Sequence, residues 1–154
     1  MAKAQVKSLA DEATVARYVG YSKLRRDKDG VVTGVLHTAF ELRPATADRA
    51  AESYLSAAQL DVFPGARSAK LKALVKAYDP HPLIVRANGA FTLGQVGPIK
   101  AACQRFGRPV RIVNAPKKNL SCYVEVRQFS SDVLELLQDL ADQTWCDVVP
   151  VSSI

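Results

Sequence analysis

The stretch AFTLGQVGPIKAACQRFGRPVRIVN, residues 90–114, decides the fold class. Ala90–Leu93 is a short apolar run behind the turn signal Asn88-Gly89, which is the pattern of a strand. Gly94-Gln95-Val96-Gly97 reads as a loop, and Pro98 suits the first turn of a helix, where a missing amide costs nothing. Ile99, Ala102, Cys103 and Phe106 recur at helical spacing and form one buried stripe. Gly107 ends that helix, and Val110–Val113 resumes a strand. Strand, helix and strand in immediate succession place this chain among proteins that pack helices on a sheet.

Outward toward the C-terminus, Asn114–Asn119 is a basic loop and Ser121–Val126 another strand. Ser130 and Ser131, then Asp132 with Glu135 three residues on, open the last helix in the manner of a capping box. Val133, Leu137, Leu140 and Ala141 point inward from it, joined by Leu134, Leu136 and Trp145. Cys146–Val151 adds a final edge strand. Toward the N-terminus, Leu83-Ile84-Val85 reads as a strand. Asp79-Pro80-His81-Pro82 stops a helix over Ala66–Tyr78, because proline lacks the amide and excludes helical geometry from the residue before it. Leu71, Leu74, Val75 and Tyr78 are its apolar stripe; Arg67, Lys70, Lys72 and Lys76 are its basic outer face. Thr46 caps an Ala-rich helix over Ala47–Gln59, which Phe63-Pro64-Gly65 breaks. Thr14–Arg43 is β-like, with a turn at Asp29-Gly30 and an alternating end at Phe40 and Leu42. Residues 1–13 read as a frayed lead-in or a short helix. The expectation is one α+β domain over residues 1–154, with a mixed or antiparallel sheet packed against about four helices.

Composition supports a globular chain. The 154 residues are 48% hydrophobic and 23% charged, which excludes global disorder. A chain of this length buries roughly two-thirds of its unfolded surface, enough to fold without disulfides or a structural metal. No apolar run reaches the ~18 residues of a membrane span, and MAKAQVKSLA lacks the apolar core of a secretory signal. Cys103, Cys122 and Cys146 match no zinc or redox spacing, so they are expected as free thiols in a reduced, cytoplasmic protein. Charge is unevenly divided. Residues 1–128 carry all 21 Lys and Arg against ten acids, a net of +11, while residues 129–154 carry five acids and no base, for +6 in all. A basic body attracts nucleic acid, another polyanion or an acidic protein, and the acidic end neutralises part of it.

Enzyme signatures are weak. No nucleophile elbow, Walker loop, dinucleotide fingerprint or zinc-protease motif is present. A Cys103–His81 dyad is disfavoured, because Cys103 falls on an apolar stripe and reactive thiols need polar, partly exposed surroundings. No metal site and no cofactor is expected. The best local feature is Gly94-Gln95-Val96-Gly97 ahead of a helix. Glycines let a ligand approach the backbone, and a helix start offers unpaired amides to a phosphate. Lys100, Arg105 and Arg108 follow, and Lys117 and Lys118 sit in the next loop; if the sheet gathers them, they make one basic patch. The bland alternative is that the glycines turn the chain and the lysines are solvated.

From Gly94 onward, the order Gly-x-x-Gly, helix, strand, variable loop, strand, helix over about 83–145 resembles a KH RNA-binding module. That resemblance implies that Gly94–Gly97 clamps a nucleic-acid backbone. The segment Phe91–Lys100, of the form F-x-x-G-x-V-G-x-I-K, also resembles one found in small bacterial proteins, and it implies no activity. Aromatics are 7% of the chain, few for a base-stacking platform, so backbone-led binding is expected over base reading. The leading expectation is a non-catalytic protein whose basic face binds nucleic acid or another polyanion. An accessory subunit docking on a larger protein, through the acidic C-terminal helix, is second, and a phosphate-handling enzyme is third. Oligomeric state is not legible.

Overall fold

The computed structural model describes residues 6–154. From the N-terminus, β1 (Lys7–Ser8) and β2 (Thr14–Val19) enter a main sheet, and β3 (Leu24–Arg26) and β4 (Val32–Val35) form a separate hairpin. β5 (Tyr54–Gln59) returns to the main sheet and is followed by α1 (Arg67–Ala77). Then come β6 (Ala90–Gln95), α2 (Val96–Arg105), β7 (Arg111–Asn114) and β8 (Tyr123–Arg127). α3 (Leu134–Asp139) runs on into a π-helical turn at Leu140–Thr144, and β9 (Asp147–Pro150) closes the sheet. The main sheet has seven strands in the order β1-β7-β8-β5-β2-β6-β9. Every neighbouring pair in it is antiparallel. Over the described residues the chain is thus a single α+β domain with an antiparallel sheet and three α-helices, where about four were expected. Among the described residues, no helix is long and apolar enough to cross a membrane.

Side chains alternate across the sheet, so each face has its own core. On one face Val15, Val19, Leu55, Ala57, Ile112, Val124 and Val126 pack with Ile99, Ala102 and Cys103 of α2 and Leu136 and Leu137 of α3. Trp145 is fully buried here, its ring 5.3 Å from that of Phe40. Its indole Nε1 donates to the Thr92 carbonyl at 3.0 Å, and the Thr92 hydroxyl donates back to the Trp145 carbonyl at 2.6 Å. On the other face Ala16, Ala58, Phe91, Leu93 and Tyr123 lie beneath Leu71 and Leu74 of α1 and Tyr78 at its C-terminal cap. The stripe read from residues 71–78 is the one that docks.

Four expectations give way. The Ala-rich segment is not a helix over Ala47–Gln59: Tyr54–Gln59 is β5, a central strand between β8 and β2. Alanine's helix preference is worth a few tenths of a kcal/mol per residue, far less than two ladders of hydrogen bonds. Leu83-Ile84-Val85 is irregular and partly exposed, since β2 and β9 already occupy both edges of β6. Phe40 ends a 3-10 turn over His37–Phe40 and does not belong to a strand. At the last helix the cap residue is Val133, with no side-chain cap; Asp132 instead binds Arg108 and Ser130. Within the lead-in, Lys7 and Ser8 pair with Asn114 and Val113, and residues 1–5 lie outside the described residues.

Candidate functional site

The segment Gly94–Gly97 holds no loop. Gly94 is in β6, and Val96 already begins α2. The Val96 amide donates to the Ala13 carbonyl at 3.0 Å and the Gly97 amide to the Asp11 carbonyl at 2.9 Å. Pro98 has no amide, so the turn at residues 11–13 takes the donors that a phosphate would have used. The glycines answer to packing instead. A Cβ on Gly94 would stand 2.8 Å from the Thr144 carbonyl oxygen and 2.9 Å from Trp145 Cδ1; one on Gly97 would stand 3.0 Å from Asp11 Cβ. Lys100 reaches back to the same turn, with Nζ 3.7 Å from the Asp11 carboxylate. A strand precedes the Gly-x-x-Gly where a KH module has a helix.

The acidic C-terminal segment is spent on arginines of the body. Arg25 meets Asp142 at 3.2 Å, Arg67 meets Asp147 at 2.7 Å, Arg105 meets Asp139 at 2.8 Å and Arg108 meets Asp132 at 2.7 Å. Hydrogen bonds from Arg108, then from Ser130, hold the Asp132 carboxyl well below the usual carboxylate range. Arg105 and Arg108 are therefore committed, on the α2 side of the sheet. Lys117 and Lys118 are on the α1 side. The single patch joining them to Lys100, Arg105 and Arg108 does not form.

What remains on the α1 side is basic. Among the described residues, Lys70, Lys72, Lys76, Lys117 and Lys118 have no ion pair. Lys76 and Lys118 line one cleft of about 330 Å³. Lys117 lines a second, of about 520 Å³, with Arg43, Arg49, Tyr54, His81 and Tyr123. The Lys117 ammonium sits 4.1 Å over the Tyr123 ring, and the Tyr123 hydroxyl donates to that of Tyr54 at 3.3 Å. His81 stacks on Tyr123 at 6.4 Å. The Leu83 amide donates to His81 Nδ1 at 3.1 Å, which puts the proton of the neutral ring on Nε2. Burial, then Lys117, pushes the His81 pKa down, so the ring is neutral at pH 7.

A third cleft, of about 260 Å³, shares Arg43, Glu52, Ser56 and Leu83 with the second. It opens where β2 and β5 part, since they pair only at Val15↔Gln59 and Ala16↔Ala58. The Arg17 guanidinium fills the gap. Nε donates to the Ala39 carbonyl at 2.9 Å and Nη1 to the Ser56 carbonyl at 2.7 Å. Nη2 has no partner among the described residues. Among the described residues no fully buried side-chain nitrogen or oxygen lacks one, so Nη2 opens onto the cleft. Burial pushes the Arg17 pKa down to about 10. Burial also lowers that of Lys23 in the same cleft, and Arg17 lowers it further. A signal for Arg17 was present in the sequence: it interrupts the inward phase Val15, Arg17, Val19 of an otherwise apolar strand.

Cys103 lies in the α2-side core and His81 beside the α1-side core, so no dyad forms. Burial pushes the Cys103 thiol up to about 12. No cluster of metal-ligating side chains occurs among the described residues. No family model, no curated protein and no solved structure matches this chain.

Proposed function

We propose that the protein is a non-catalytic binding protein whose α1-side basic face takes nucleic acid or another polyanion. One observation carries the reading: the acidic segment pairs with arginines, Arg67 at the start of α1 among them, while five lysines of α1 and the 117–118 loop stay unpaired, three of them lining two clefts. Point-charge lysines on a surface suit the phosphate backbone more than base edges. Tyr54, Tyr123 and His81 add a small stacking surface beside them. The rival, docking through an acidic helix, has little to present, because Asp132, Asp139 and Asp142 are already paired. Three free thiols suit a reducing compartment.

The test is anisotropy of labelled single-stranded DNA and RNA at several salt concentrations. Contact of five lysines with phosphates gives a log–log slope of about −3.5 for a single strand, or roughly a 100-fold loss between 50 and 200 mM salt. Absence of binding at 50 mM, or binding that ignores salt, rejects the proposal.

A further inference from the structure

We infer that the cleft where β2 and β5 part is a built site for a phosphate monoester, held by Arg17 and Lys23. This goes beyond the polyanion face and does not depend on it. The guanidinium is fixed by two backbone carbonyls from different segments, Ala39 and Ser56, so its direction is set before any ligand arrives. Its third nitrogen, with two N–H bonds unused, is the one that faces the cleft. Arg17 has no ion pair among the described residues and feels Glu52 only across the cleft, and a cation withdrawn from water with no carboxylate in contact is a costly arrangement that an anion relieves.

Among the described residues, neither nearby carboxylate makes an ion pair with Arg17 or Lys23. Glu52 accepts from the Arg43 amide at 2.6 Å and from Arg43 Nη2 at 3.2 Å, and Glu41 lies 4.0 Å from His37. Glu41 and Glu52 still line the cleft and offset two of the three positive charges of Arg17, Lys23 and Arg43. The donors left over, Arg17 Nη2, the Lys23 ammonium and the Ser56 hydroxyl, are of the kinds that share out the oxygens of a tetrahedral anion. A phosphate monoester carries about −1.5 to −2 at pH 7, and so engages both cations where a carboxylate satisfies one. About 260 Å³ admits a phosphate with its sugar but no duplex. The neighbouring cleft, which shares Arg43, Glu52, Ser56 and Leu83 with this one, puts Tyr54, Tyr123 and His81 on the side toward which the rest of such a molecule would extend. A free nucleotide and the phosphorylated end of a strand present the same group.

Calorimetric titration with inorganic phosphate and with adenosine monophosphate tests the site, against chloride and acetate at matched ionic strength. Phosphate and the nucleotide should bind, and acetate should bind at least tenfold more weakly. Lys23→Ala keeps the two hydrogen bonds of Arg17 and should fold; it should weaken phosphate roughly tenfold or more. Arg17→Lys should abolish binding, with a melting curve to show that the variant is folded. A phosphate response no greater than that of chloride, or equal phosphate affinity in wild type and Lys23→Ala, overturns the inference. Lys72→Glu/Lys118→Glu, which disables the polyanion face, should leave phosphate binding intact, so the two proposals fail separately. Tighter binding of a 5′-phosphorylated than a 5′-hydroxyl oligonucleotide supports a strand end as the source; equal binding supports a free small molecule.

Discussion

Gly94 shows how one missing Cβ is used by a neighbour in the fold. The Thr144 carbonyl and the Trp145 ring stand where that Cβ would be, and neither is the free end of a flexible chain. Gly94→Ala should therefore cost about 1–3 kcal/mol, as overpacked sites do. Gly20 is its control: nothing lies within 4 Å of its Cβ position, and its φ of −70° suits any residue. Gly20→Ala should be neutral or stabilise by about 0.4–1 kcal/mol, by restricting the unfolded chain. Denaturant melts of the two variants decide; a Gly94→Ala protein as stable as wild type would mean the contact with Trp145 relaxes freely. The thiols give a second test at this scale. All three pKa values are raised, Cys103 most clearly, to about 12, because burial disfavours the thiolate. Only the thiolate alkylates, so native protein at pH 8 should react slowly. Cys146, half-buried, should be labelled first, with Cys103 and Cys122 following only on unfolding. Mass spectrometry of the labelled peptides reads the order, and early labelling of Cys103 contradicts the packing of α2.

Trp145 ties the C-terminal elements to the centre of the sheet. It fills the α2-side core from the end of the π-helical turn, and its two hydrogen bonds with Thr92 reach into β6. β9 then covers the β6 edge from Ala90↔Pro150 to Leu93↔Asp147. Removing residues 131–154 would uncover Phe91, Leu93 and Ile99, so the truncated chain should be insoluble. A soluble truncation with a cooperative melt would show that this segment is a separable arm. These C-terminal elements were legible in the sequence because long periodic runs and a lone Trp leave few alternatives. The stripe of α1 and the strand after Trp145 were legible for the same reason. β5 was not. Its residues, YLSAAQ, include three small ones and favour a helix through their alanines and leucine, and what makes them a strand is the pairing on either side, with partners 42 or more residues away. The lead-in strand β1 was hidden likewise, since two residues have no period. The candidate site suffered from the same blindness. Gly-x-x-Gly before a helix is a local signal, and the turn at residues 11–13 that consumes its amides is not local. Lys117 stands out by its place in a loop, whereas Arg17 is marked only by one break in the apolar phase of a strand.

Charge across the whole molecule is sorted by ion pairing more than by sequence position. Read along the chain, Arg105 and Arg108 belong to the basic body; in three dimensions they are cancelled by Asp139 and Asp132. The lysines of α1 and of the loop at 117–118 have no such partners, and a sheet stands between the two groups. Sheet and helix layers each add about 10 Å, comparable to or longer than the ~10 Å Debye length at 0.1 M salt. Each side should therefore act on a polyanion nearly alone. Arg105→Gln/Arg108→Gln removes two positive charges from the sequence tally. It should nonetheless change single-strand affinity less than threefold at 100 mM salt, because both were already spent on carboxylates. Lys72→Glu/Lys118→Glu changes the tally by four and acts on the unpaired side. It should lower affinity more than tenfold at 50 mM and flatten the salt slope by about 1.4, the share of two phosphate contacts on a single strand. Both variants alter exposed side chains and should melt near wild type. Anisotropy titrations at four salt concentrations distinguish them. If the arginine variant loses as much binding as the lysine variant, net charge governs and no face is special. If only the lysine variant loses it, the binding surface lies over the α1 lysines, which the acidic segment leaves unpaired although Asp147 takes Arg67 at the start of that helix.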